Sequence, residues 1–219
     1  DAEVLHVWTM GVAPYANETY QSNFRQNSFF IGNNTREAVN RGLADYTPVF
    51  LSQVPALFQK KQVPVDVALI QTSLPDEHGF MSLGISVDIV KAAAESAPLV
   101  IAQVNARMPR VLGDTFINIK DVDFVLPFDE QLLEYEDTVS DDIAQKIGTY
   151  VARIVQDGDT IQVGYGSIPN AILSHLKDKK HLGVHTELFS DGIIDLIEMG
   201  VVTNAAKTLH RGKVISGFA

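Results

Sequence analysis

Val65–Gln71, VDVALIQ, is an almost continuous apolar run, the pattern of a strand covered on both faces. A polar stretch, TSLPDEHG, follows it. From Ser86 to Ala97 the period changes: Ile89, Val90, Ala93, Ala94 and Ala97 fall on one helical stripe. Pro98 disfavours continuing that helix. LVIAQV (Leu99–Val104) is the next buried strand. Strand, helix and strand at this spacing predict a parallel pair joined by a right-handed crossover. Upstream, NNTREAVNRGL puts Asn34 and Glu37 in capping-box spacing, with Gly42 near the stop.

The same alternation returns in the second half. Asp142 is placed to cap a helix whose apolar face is Ile143, Ile147, Val151, Ile154 and Val155, and Gly158 lies just beyond its end. TIQVGYG (Thr160–Gly166) reads as a strand running into a glycine turn. Pro169 suits the first turn of the next helix, with Ile172, Leu173 and Leu176 inward. LGVHTE is a further strand. Ser190 is positioned to cap the helix after it, Asp191 complements that helix's dipole, and Gly200 fits its stop.

Between the halves, Asp121–Asp142 holds nine of the chain's 27 acidic residues and no basic one. Such like-charge density disfavours burial and reads as a linker. The expected organisation is therefore one α/β unit over residues 1–122, an acidic linker over 123–141, and a second α/β unit over 142–219.

Composition narrows the class. With 219 residues and 46% apolar side chains, the chain can bury a real core. Its net charge of −10 gains nothing from phosphate counterion release, so no nucleic acid is expected as partner. No apolar run approaches a membrane span, so no membrane is expected either. The absence of cysteine removes disulfides, thiolate metal sites and cysteine nucleophiles together, and fits a cytoplasmic protein. The chain opens without an initiator Met and closes in a strand-like run, GKVISGFA. The expectation is a piece cut from something longer.

Two stretches carry chemistry. In QVGYGSIPN, two glycines at a strand-to-helix turn let backbone N–H groups approach a ligand, with a helix N-terminus behind them. The turn lacks the third glycine of a dinucleotide fingerprint and the lysine of a P-loop, and on local sequence alone a plain tight turn is the better reading. In LGVHTE, strand alternation puts His185 and Glu187 on one face, with Val184 and Thr186 on the other. Ligands of open α/β sheets bind beyond the carboxyl ends of strands, where Glu187, Gly164 and Gly166 would all lie. A solvated strand end is the plainer reading of Glu187. His181, His185 and Glu187 have some ligand-like spacing, but His181 falls in the entering loop and no strong cluster joins them; no metal is expected. In the first half, Asp76, His78, Asn105 and Arg110 follow the two strands at their carboxyl ends, and Arg110 could grip a carboxylate in bidentate fashion.

VGYGSIPNAIL, LGVHTELFSDGIIDLIEMGVVTN and KTLHRGKVISGF, in that order, resemble the acetyl-CoA hydrolase/transferase family of class I CoA-transferases, nearest to its 4-hydroxybutyrate CoA-transferase branch. FFIGNNTREAVNRGLADYTPVFLSQVP, DVALIQTSLPDEHGFMSLGISVD and NARMPR are similar to that family's first domain. The resemblance covers essentially the whole chain. It implies two open, mostly parallel-sheet α/β domains of the NagB/RpiA/CoA-transferase-like type, present here as a fragment: the later part of the first domain and the first part of the second. It implies transfer of CoA from an acyl-CoA, such as acetyl-CoA or butyryl-CoA, to a small carboxylic acid, such as acetate or 4-hydroxybutyrate. Glu187 matches the catalytic glutamate, which carries CoA as a thioester. Gln162, Val163, Gly164, Tyr165 and Gly166 match the CoA-contacting, oxyanion-stabilising turn. Gln71, Asn105 and Arg110 are candidates for a substrate pocket. No permanently bound cofactor is implied, coenzyme A being a substrate, and a homodimer is suggested. Acyl-CoA hydrolysis through the same intermediate, and a catalytically silent CoA-binding fragment, are the alternatives.

Overall fold

The computed structural model describes residues 2–135 and 140–219. The chain divides into two compact units, Asp1–Gly84 with Asp88–Tyr135, and Ile85–Val87 with Glu136–Ala219.

The first unit contains, in order, β1 (Ala2–His6), β2 (Phe24–Ser28), α1 (Asn33–Asn40), β3 (Ala44–Tyr46), α2 (Val54–Gln59), β4 (Val67–Thr72), β5 (Phe80–Ser82), α3 (Val90–Ser96), β6 (Leu99–Val104), β7 (Phe116–Asn118) and β8 (Phe124–Pro127). β1, β2 and β3 form one parallel sheet; β4, β6 and β8 form another; β5 and β7 pair antiparallel. β4 and β6 run in register from Val67↔Leu99 to Thr72↔Val104, the parallel pair that the strand–helix–strand pattern predicts. The β5 strand interrupts the crossover, and α3 starts at Val90, four residues after Ser86, where the helical pattern begins. Phe29, Val54, Phe58, Ile89 and Ala92 make the core around α2 and α3.

Several local expectations change here. β4 is covered on one face only: Ala68 and Ile70 are buried, while Leu69 is 77% exposed. An uninterrupted apolar run therefore does not report which face is covered. Asn34 forms no capping box; its side-chain amide donates instead to the carbonyls of Thr9 and Gly11, and Gly32 takes the cap position of α1. The acidic linker is also shorter than its charge implies, because Phe124–Pro127 pairs with β6. Its acidic neighbours serve as backbone acceptors: Asp123 accepts from Val100 N–H at 2.8 Å and Asp129 from Ala106 N–H at 2.6 Å. Carboxylates with such partners are compatible with sheet structure. The linker's residues 136–139 lie outside the described residues.

The second unit contains α4 (Asp142–Ala152), β9 (Thr160–Ile161), α5 (Ser167–Ser174), β10 (Gly183–Val184) and α6 (Asp191–Glu198). β9 and β10 are parallel. Leu173, Leu176, Leu182, Val184, Ile193, Leu196 and Val202 are core residues of this unit. Asp141, not Asp142, caps α4, accepting from Ala144 N–H. α4 buries Ala144, Gly148 and Ala152, whereas Ile143 and Ile154 of the expected apolar face are exposed. Close helix approach explains the choice: a Cβ at position 148 would sit 2.7 Å from the Ala171 carbonyl oxygen of α5. Small residues make that approach possible, while Val155 of the expected face still packs against the core of the unit.

Candidate active site

Glu187 lies three residues beyond β10, where the extended run LGVHTE leaves its short regular ladder. Alternation is as the pattern predicts: Val184 and Thr186 are buried, His185 and Glu187 exposed. The regular strands are only two residues long, yet the parallel pattern continues through His185 N–H to the Ile161 carbonyl. Thr186 then joins Val163 by two bonds. Val163 N–H donates to Thr186 Oγ1 at 2.9 Å, and the Thr186 hydroxyl donates to the Val163 carbonyl at 2.8 Å. A side chain thus replaces the missing ladder. Extending the register from Gly183↔Thr160 and Val184↔Ile161 places Gly164 opposite Glu187 and Gln162 opposite His185.

The other flank of Glu187 is fixed by its own carbonyl, which accepts from Gly217 N–H at 2.8 Å and Phe218 N–H at 3.1 Å. Residues 215–218 run beside it, with parallel bridges His185↔Ile215 and Leu188↔Phe218. The nucleophile candidate is therefore carried on a backbone held from two sides. Ser190 occupies the cap position of α6, but its buried hydroxyl caps nothing and has no partner among the described residues.

The turn is built for close approach. Gly166 has φ +120°, a conformation side chains other than glycine's rarely adopt, and it caps α5. Gln162, Gly164 and Tyr165 are exposed while Val163 is buried. Val163 N–H is already committed to Thr186, so it is not available to a developing oxyanion. Gly164 and Gly166 are the remaining glycine amides of the expected set.

Of the three first-unit candidates, two meet and one does not. Asn105 is fully buried just past β6 and donates to Gln71 Oε1 at 3.2 Å and to the Glu130 carbonyl at 2.9 Å. Both sit at the carboxyl ends of parallel strands, as expected. Arg110 instead pairs with Asp76 at 2.9 Å and lies 4.5 Å over the Phe116 ring. Its guanidinium is held by a carboxylate of the chain itself. Asp76 also accepts from the Phe80 and His78 N–H groups. The Phe80 bond, with smaller help from His78 and Arg110, holds its carboxyl below the usual range.

Asn204 and Lys207 escape a reading by sequence pattern. Asn204 Oδ1 accepts from Val184 N–H at 2.9 Å, and the Lys207 ammonium donates to the Val184 carbonyl at 2.8 Å. Neither carries a signal at this position: lysine and asparagine in a run such as TNAAKTLHRGK look like ordinary surface residues. Among the described residues, no group of His, Asp and Glu is arranged to hold a metal ion.

The family model of the acetyl-CoA hydrolase/transferase N-terminal domain matches residues 1–134. The chain belongs to the acetyl-CoA hydrolase/transferase family. A 4-hydroxybutyrate coenzyme A transferase of Clostridium kluyveri is 49% identical over 99% of the chain and 50% of its own length. A succinyl-CoA:acetate/propanoyl-CoA:succinate CoA transferase of Fasciola hepatica is 43% identical over 100% of the chain and 45% of its own length. The crystal structure of RipA from Yersinia pestis superposes with TM-score 0.91 at 32% identity, over 99% of the chain and 52% of that one. The chain thus spans about half the length of the curated relatives it matches. The family match ends at residue 134, beside the break between the two compact units after Tyr135. Among the described residues, no helix of this family member is long and apolar enough to cross a membrane.

Proposed function

We propose that the protein is a CoA-transferase, moving CoA from a short-chain acyl-CoA to a small carboxylic acid through a glutamyl-CoA thioester on Glu187. The observation that carries this reading is the double Thr186–Val163 bond, which aligns Glu187 with the glycine turn. The proposed domains are the later part of a first CoA-transferase domain and the first part of a second. The proposed donors are acetyl-CoA or butyryl-CoA and the proposed acceptors acetate or 4-hydroxybutyrate; the names of similar proteins carry 4-hydroxybutyrate, succinyl-CoA with acetate, and butyryl-CoA with acetate.

The ionised Glu187 carboxylate attacks the acyl-CoA carbonyl; a C–O bond forms, and the C–S bond breaks to release CoA thiolate. The mixed anhydride is attacked by that thiolate at the glutamyl carbonyl, which frees the first acid as its carboxylate and leaves the thioester. The acceptor carboxylate reverses both steps. This is covalent catalysis in ping-pong order. A carboxylate is a weak nucleophile, so the remote CoA handle must contribute binding energy at the reacting carbon. The amides of Gly164 and Gly166 are our candidates for the oxyanion, each such donor being worth about 3–4 kcal/mol. No resident cofactor takes part.

Borohydride trapping tests the reading. The full-length protein is incubated with acetyl-CoA, reduced and digested with trypsin, and the peptide His181–Lys207 is weighed. Conversion of the Glu187 carboxyl to an alcohol supports it. An unmodified peptide with acetyl-CoA and with butyryl-CoA alike overturns it.

A further inference from the structure

Among the described residues, Lys207 is the one buried residue with a charged side chain, at 5% exposure. Its ammonium donates to two main-chain carbonyls, Val184 at 2.8 Å and Lys213 at 2.7 Å. No carboxylate pairs with it among the described residues. Loss of water around the ammonium pulls its pKa down from the usual lysine value. The site is shaped for this side chain. A Cβ at Gly183 would lie 2.5 Å from Lys207 Cγ and 2.7 Å from Thr160 Oγ1, so glycine opens the path along which the lysine stem crosses β10.

What the ammonium joins is specific. Val184 ends β10, three residues before Glu187. Lys213 begins the run that flanks Glu187 on its other side: Ile215 N–H donates to the Val184 carbonyl, Thr186 N–H donates to the Ile215 carbonyl, and Gly217 and Phe218 N–H groups donate to the Glu187 carbonyl. An apolar side chain of similar length would avoid the desolvation cost but leave two carbonyls without this donor. A costly buried charge is thus spent on fixing one strand end to its flank, at the strand end that bears the nucleophile.

We propose that Lys207 is a positioning residue for Glu187, clipping β10 to the 213–218 flank so that the carboxylate meets the glycine turn in one orientation. This rests on the reading of Glu187 as the thioester carrier.

The test compares the full-length wild type with Lys207→Met and Lys207→Gln. Three quantities are read: the thermal midpoint, the KM for acetyl-CoA, and the single-turnover rate of trappable thioester at saturating acetyl-CoA, per folded molecule and below every midpoint. We expect Lys207→Met to slow thioester formation about tenfold or more, the scale of charge-assisted bonds lost, while KM changes less than about twofold. Lys207→Gln, which keeps N–H donors without the charge, recovers part of the rate. A wild-type rate per folded Lys207→Met molecule, with only the midpoint lowered, overturns the inference and leaves Lys207 a stability residue. Equal slowing in both variants with KM raised in proportion also overturns it. Failure to trap thioester in the wild type overturns the Glu187 reading itself, so the two failures are told apart.

Discussion

Thr186 and Val163 exchange two hydrogen bonds through one hydroxyl, which accepts from the Val163 N–H and donates to the Val163 carbonyl. The pairing does the work of a β-ladder where the regular strands have stopped, and it carries the register forward to Glu187 and Gly164. It also uses up one of the amides of the proposed oxyanion turn. Thr186→Val keeps the shape and strands both groups of Val163. We expect a loss of about 1–3 kcal/mol in urea unfolding, because the stranded groups stay buried. Thr186→Ser retains the hydroxyl and should stay within about 1 kcal/mol of wild type. Equal stability of the valine variant would show that the two bonds contribute nothing net.

Glu187→Gln preserves size and removes the proposed nucleophile. Transfer should fall by about a thousandfold or more in freshly prepared protein, with no reducible thioester on the His181–Lys207 peptide. Slow deamidation would restore glutamate with time, so mass must be checked alongside rate. Near wild-type transfer in intact Glu187→Gln would remove this residue from the mechanism.

Gly148→Ala tests why α4 buries its small face. Alanine gains about 1 kcal/mol in helix propensity. Its Cβ, however, would lie 2.7 Å from the Ala171 carbonyl oxygen, which is backbone and cannot swing away. Overpacking of this kind costs about 1–3 kcal/mol, so a lower thermal midpoint is expected despite the better helix former. A raised midpoint would mean that the helices separate freely.

Asp76 gives the first unit a defined acid sensitivity. The Phe80 N–H, then His78 and Arg110, hold its folded-state pKa below the ordinary value. Its contribution is therefore present above the unfolded carboxylate pKa of about 3.9, and is lost as pH falls through the lower, folded pKa. Asp76→Asn should flatten the fall of the thermal midpoint below about pH 4, while leaving the neutral-to-alkaline profile parallel to wild type. An unchanged acid slope would assign the sensitivity to other carboxylates.

Much of the path to the candidate site is legible in one dimension. The apolar run before Gln71, the apolar run before Asn105 and the helical stripe between them report a parallel pair, since each period reflects a local backbone geometry. The alternation in LGVHTE likewise put Glu187 and His185 on one face, which the structure shows to be the exposed one, and the glycines of VGYG marked a turn. Where two solutions satisfy the same pattern, local reading chose the commoner one. Isoleucines at 143 and 154 suggested the inner face of α4, yet Ala144, Gly148 and Ala152 took it because backbone approach to α5 admits no larger side chain. Acidic density suggested a linker over Phe124–Pro127, although a strand forms there with neighbouring carboxylates bonded to backbone amides.

By itself, then, the sequence determined the parallel α/β elements, the turn that follows β9, the face that Glu187 shares with His185 and the family, because these rest on period, on glycine's backbone freedom and on long ordered motifs. Tertiary structure alone decided that Thr186 closes on Val163, that Arg110 is spent on Asp76, and that Lys207 is buried against Val184 and Lys213. Each joins residues at least 20 positions apart or depends on which side chain a glycine makes room for. Partner choice of that kind is a property of packing in three dimensions, and no periodicity along the chain encodes it.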